Sequence, residues 1–198
     1  MTHCFRWLLL FLIFGIGILI VPGQAPSPAT KSEPTKNKHL KFKYDKSKDT
    51  TTVKLDSMVL ADLDRQRKQR GNIPPYVLNI EMTFSYPGKT VVKPVESFDI
   101  LFRASASNFI FLKGQQIVVA LDQGTDQGRA LDLGMTGYKS TTEFNSVYAE
   151  LMKITVTSAA LEKIVKANQV DFYLGPDGFG ITEKQMQDLR DLYAAMNP

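Results

Sequence analysis

The sequence predicts a mainly β fold: an antiparallel sheet or β-sandwich with a short helix and a C-terminal helix packed on it. Three observations carry that expectation. Short stretches alternate apolar and polar residues, most strictly at Leu78, Ile80, Met82, Phe84 and Tyr86, the period of two expected of a sheet with one buried and one wet face. Turn chemistry separates these stretches, as at Pro87-Gly88, Lys113-Gly114 and residues 122–128. Helical spacing enters only after residue 158, so helices do not alternate with strands as an α/β fold requires.

Order is expected from about Leu40 onwards. Phe42 and Tyr44 alternate with lysines, and residues 50–60 form a second extended stretch enriched in β-branched side chains. Residues 62–72 read as a polar loop that runs into Pro74-Pro75, ahead of the strand that begins near Leu78. Phe98, Ile100 and Phe102 point inward from the next strand. Residues 108–112 and 116–121 read as two more strands, and residues 130–133 return after the turn at 122–128. In residues 148–156 Tyr148, Met152, Ile154 and Val156 share one side. Residues 159–167 then space Leu161, Ile164 and Val165 as a short helix. Residues 170–174 return to strand, and Gly175-Pro176-Asp177-Gly178 reads as a turn. Thr182 opens the last helix with Gln185 three residues on, the spacing of a reciprocal capping box. Met186, Leu189, Leu192, Tyr193 and Met196 trace one face of that helix.

The chain divides into three parts. Residues 1–25 place Arg6, an apolar run over 7–21 and the small residues Gly23 and Ala25 in the order of a secretory signal peptide cut after Ala25. A retained membrane anchor is the alternative, although a spanning helix needs roughly 20 apolar residues and this run is shorter. Residues 26–38, rich in Pro, Ser, Thr and Lys, form a linker that cannot bury enough surface to order itself. Residues 39–198 form a single β-rich domain, long enough to build its own core. The expected location is therefore periplasmic or extracellular, or the outer side of a membrane if the N-terminal segment stays. Membrane contact is expected only in that second case.

Composition narrows the chemistry. The single cysteine, Cys4, leaves with the signal segment, so the mature chain has no disulfide, thiol nucleophile or cysteine-ligated metal. Of the two histidines only His39 remains, at the linker's edge and expected in solvent, which argues against a structural zinc site and against Ser-His-Asp or Cys-His machinery. Removing Arg6 leaves one fewer than 24 Lys and Arg against 20 Asp and Glu, many of the cations in the linker. That balance is no nucleic-acid footprint.

Each local motif has a plain reading beside the chemical one. Asp122 and Asp126 fit positions one and five of a calcium loop, but Gln127 replaces the glycine and Leu133 stands where a bidentate glutamate belongs, so a hairpin turn is expected. Residues 175–180 lack the lysine-serine and GxGxxG orders of a phosphate cradle. Glu81, Glu96, Glu143 and Glu150 could supply a carboxylate pair for glycoside chemistry, but nothing in the sequence pairs them. Arg65, Arg67, Lys68 and Arg70 form the one dense basic cluster of the ordered region. They are the candidate contact for an anionic partner, with a solvated loop as the alternative. No catalytic residue, cofactor or metal is expected.

The stretch Tyr44-Asp45-Lys46-Ser47-Lys48-Asp49-Thr50-Thr51-Thr52-Val53 resembles the opening of a class of uncharacterised exported bacterial proteins. There, a tyrosine-aspartate segment and a threonine-valine strand follow a signal peptide or lipobox. The resemblance spans roughly residues 44–192 and implies export and a β-rich domain, with no known activity to carry over. This chain lacks the lipobox cysteine that some such proteins have. Together these readings give an exported, non-catalytic β domain with a binding or structural role in the cell envelope, against the alternative of a small secreted hydrolase using carboxylates.

Overall fold

A computed structural model describes residues 38–61, 76–125, 128–143 and 147–197, all within one compact unit, Pro34–Pro198. The expected signal segment, nearly all of the expected linker, and Arg65, Arg67, Lys68 and Arg70 lie outside the described residues. The fold is mainly β and antiparallel. One six-stranded sheet has the order β1-β2-β3-β4-β8-β7, and a four-stranded sheet has the order β10-β9-β5-β6. Their strands are β1 Leu40–Asp45, β2 Thr50–Ala61, β3 Tyr76–Pro87, β4 Ser97–Ala106, β5 Gln116–Leu121, β6 Arg129–Met135, β7 Gly137–Thr142, β8 Tyr148–Thr157, β9 Val170–Leu174 and β10 Asp177–Gly180. Among the described residues two helices complete the order, α1 Ser158–Val165 and α2 Glu183–Met196.

The period-two pattern decides which face is buried. Leu78, Ile80, Met82 and Phe84 of β3, Phe98, Ile100 and Phe102 of β4, and Met152, Ile154 and Val156 of β8 all enter one core. Ile117, Val119 and Leu121 of β5 and Phe172 and Leu174 of β9 meet them from the second sheet. Phe102 and Phe172 touch edge to face across the core, ring centroids 6.4 Å apart. The chain changes sheet three times, from β4 to β5, from β6 to β7 and from β8 to β9, and the second passage takes a single residue, Thr136.

Both helices begin on threonine. Thr157 accepts the Ala160 N–H, and Thr182 with Gln185 completes the reciprocal capping box. Alone, fourteen residues would make a marginal helix. Here Met186, Leu189, Leu192 and Met196 are buried, each contributing about 1.5–3 kcal/mol through apolar burial. The Val95 N–H donates to the Met196 carbonyl at 3.0 Å, so the end of α2 is tied to the chain entering β4.

Three elements differ from the sequence expectation. Residues 108–112 are not a strand but a loop, because their amides are taken by a buried carboxylate rather than by a neighbouring strand. Residues 137–142 form β7, whose side chains are mostly exposed and so show no apolar alternation. The turn after β9 is shorter than expected: Asp177 and Gly178 already belong to β10, which folds back with Asp177 opposite Leu174. His39 is half-buried rather than a solvated linker residue, and its carbonyl accepts the Asp56 N–H at 2.7 Å.

Candidate functional site

The sandwich has one end where strands and loops converge on a buried carboxylate. Glu150 lies in phase with Met152 and Ile154 on the inner face of β8, opposite Ala104 of β4. Only 1% of it is exposed. Its carboxylate accepts the backbone N–H groups of Ile110 at 2.6 Å, Phe111 at 3.0 Å and Leu112 at 2.7 Å, and the Tyr138 hydroxyl at 2.9 Å. Three amides aimed at one anion are the arrangement that makes a buried charge tolerable. Burial, and then the bond to Glu150, push the Tyr138 phenol above its ordinary range, which keeps it a donor.

This pin fixes the loop between β4 and β5. Phe111 turns inward against Tyr76, edge to face at 5.6 Å, and Tyr76 donates to Asp177 at 2.8 Å. Thr136 both accepts the Gln115 N–H at 2.8 Å and donates its own N–H to the Gln115 carbonyl. At Gly114 a Cβ would overlap the Thr136 carbonyl oxygen, so only glycine lets the loop come this close.

What the loop displays is apolar. Leu112 sits at φ +61°, a left-handed conformation that costs a bulky residue about 1 kcal/mol, and its side chain is 69% exposed. Phe109, 37% exposed, packs against Tyr148 with ring centroids 4.5 Å apart and planes tilted by 60°. Met135, 60% exposed, stands opposite Gln116 at the same end of β5. The same end receives the flanks of the basic segment: Ala61 pairs with Leu78, and Tyr76 with Ala106, the last residue of β4.

The remaining candidates are engaged elsewhere. Asp122 turns the chain at φ +51° and its Oδ1 accepts the N–H groups of Asn168 at 2.8 Å and Gln169 at 3.0 Å, so this member of the suspected calcium loop fastens the start of β9. Glu81 pairs with Lys54 at 2.7 Å on the outer face of the large sheet, and Glu143 pairs with Arg103. Glu81 and Glu150 face opposite sides of one sheet, and Glu96 stands in the chain before β4 with its carbonyl accepting the Ser158 N–H. The four glutamates are not brought together. Also on the outer face, Asp99 meets Lys153 at 2.8 Å and Thr155 at 2.7 Å. Burial works to raise its pKa, but those two donors win and hold the carboxyl below its ordinary range.

A single histidine is arithmetically enough for a serine–histidine–carboxylate relay, so residue counting alone does not exclude one. His39 and Ser57 line the same groove as Asp56 and Asp188.

Among the described residues no helix is long and apolar enough to cross a membrane. Compared with known proteins, the chain matches no family model, no curated protein and no solved structure.

Proposed function

We propose that this chain is an exported, non-catalytic β domain that binds a partner in the cell envelope, with the end of the sandwich between β4 and β5 as its contact surface. The observation that carries the reading is Leu112. A strained backbone is held in place by a buried carboxylate, and what that arrangement achieves is the display of an apolar side chain in water. Strain kept by an over-determined loop is a feature of functional surfaces. In the sequence, Arg65, Arg67, Lys68 and Arg70 concentrate positive charge that suits an anionic partner. Export rests on the order of basic, apolar and small residues over 1–25. The absence of catalysis rests on carboxylates that are already engaged. The hydrolase alternative has no observation in its favour: Glu81 and Glu143 are ion-paired, and Glu150 faces the opposite side of the sheet from Glu81.

Capture from envelope extract tests this reading, using wild type, the quadruple Gln variant at 65, 67, 68 and 70, and Leu112→Ser. The wild type is expected to retain a partner at low salt and release it at high salt, because exposed charges are screened within about 8–10 Å near physiological ionic strength. Both variants are expected to lose it. Identical partners for all three proteins at both salt levels would show this end to be solvated surface. N-terminal sequencing of envelope material tests export itself: a mature start at Pro26 is expected, and a start at Met1 points to the anchor.

A further inference from the structure

Away from that end, a groove of about 310 Å³ runs between β2 and the first two turns of α2. The register of β2 on β3 shifts between Leu55 and Met58. The intervening Asp56 and Ser57 are therefore released from regular pairing, as a bulge does when it re-aims side chains. Met58 and Val59 give the groove an apolar wall, while Ser57 and Thr182 add hydroxyls.

Asp188 is the anomaly in its lining. The residue is 8% exposed, and among the described residues no hydrogen bond or ion pair reaches its carboxylate. Glu150 and Asp122, which are also buried, are both bonded to backbone amides. An anion withdrawn from water without donors carries a substantial free-energy cost. Lys184, four residues earlier on the same helix, could reach Asp188 at that spacing, but it too has no partner among the described residues. Of the other ionisable residues lining the groove, Asp56 is ion-paired with Lys41, and the backbone carbonyl of His39 accepts the Asp56 N–H. At the helix start, the capping box takes the amides of Thr182 and Gln185. It leaves those of Glu183 and Lys184, where the helix dipole favours negative charge.

We propose that this groove binds a small zwitterion of the α-amino-acid class, its ammonium group on Asp188 and its carboxylate toward Lys184 and the first amides of α2. Side chains at i and i+4 stand about 5–6 Å apart at Cβ, a separation that the two charged groups of an amino acid span. At about 30 Å³ for each water, the groove has room for a ligand of that size. This site is separate from the partner-binding end.

The test is a titration of glycine into the full-length chain, labelled with nitrogen-15 and held in a nonionic detergent, with backbone amides followed by NMR. Saturable shifts are expected at residues 56–59 and 182–188, with tighter binding for glycine than for ethanolamine or acetate, which each offer one charge. Asp188→Asn is expected to weaken glycine binding by about 10- to 100-fold, the loss of one charge-assisted hydrogen bond. The same substitution is expected to raise the unfolding temperature of the ligand-free chain. No saturable shift with glycine, shifts confined to other residues, or unchanged affinity in Asp188→Asn would each overturn the proposal. Should that variant fail to fold, Lys184→Gln at an exposed position carries the test. It is expected to weaken glycine while leaving ethanolamine unaffected, and equal glycine affinity would contradict the assignment.

Discussion

Glu150 and Asp188 are both buried carboxylates, and they live in opposite circumstances. Glu150 receives three backbone amides and a tyrosine hydroxyl at the end of the sandwich. Asp188 faces a groove with no donor of its own among the described residues. The first is held by the fold and holds a loop in return. On the proposed reading, the second weakens the fold that carries it and is kept for a ligand. Burial alone therefore says little about what a charge is for; its donors decide.

The largest effect is expected from breaking the saturated member of the pair. Glu150→Ala leaves three amides and a hydroxyl without an acceptor inside the protein, and should destabilise the domain by about 3–5 kcal/mol. Chemical denaturation checks this, and a change below about 1 kcal/mol would mean the loop re-pairs its amides with water. Leu189→Ala comes next. It removes a fully buried side chain beside Asp188 and should lose roughly 2–5 kcal/mol. An unchanged denaturant midpoint would mean that α2 is not part of the core.

Tyr138→Phe sharpens the same comparison through pH. The phenol's pKa is raised in the folded state, first by burial and then by Glu150. A raised folded pKa contributes stability that is fully present below the unfolded value, about 10, and is lost as pH rises through the folded value. Wild type should therefore lose stability in the alkaline range more steeply than Tyr138→Phe. The variant should also lose about 1 kcal/mol at neutral pH with its hydrogen bond. Parallel alkaline curves would remove Tyr138 from the pin. Smallest of all is Lys54→Gln, which breaks an exposed pair with Glu81 on the outer face. A shift of no more than about 0.5 kcal/mol is expected in denaturant unfolding.

Most of the architecture was legible because strict alternation forces one face inward, as β3 and β4 illustrate. The capping box at Thr182 was equally legible, since its reciprocal bonds depend on local spacing alone. Edge strand β7 was not, because its side chains face water and leave no apolar period. Residues 108–112 misled for another reason: Asn-Phe-Ile-Phe-Leu has strand composition, but a glutamate forty residues away takes its amides. Two signals for the key carboxylates were nonetheless present. Glu150 is in phase with Met152, Ile154 and Val156, so alternation alone placed it inside. Gln185, Asp188, Leu189, Leu192 and Met196 follow helical spacing, which put Asp188 on the apolar face. The charge of a residue on a buried face was the clue, and the identity of its donors could come only from the fold.

The most direct test of the contrast is a pair of nearly isosteric neutralisations, Glu150→Gln and Asp188→Asn, compared by urea unfolding of the ligand-free chain. Glu150→Gln should lower stability by about 2–4 kcal/mol, because an amide cannot accept from all the donors that a carboxylate satisfies. Asp188→Asn should raise it by about 0.5–1 kcal/mol, because a buried charge without donors is removed. Opposite signs are the predicted result; a loss of stability in both variants would show that Asp188 supports the fold as Glu150 does and would contradict the account.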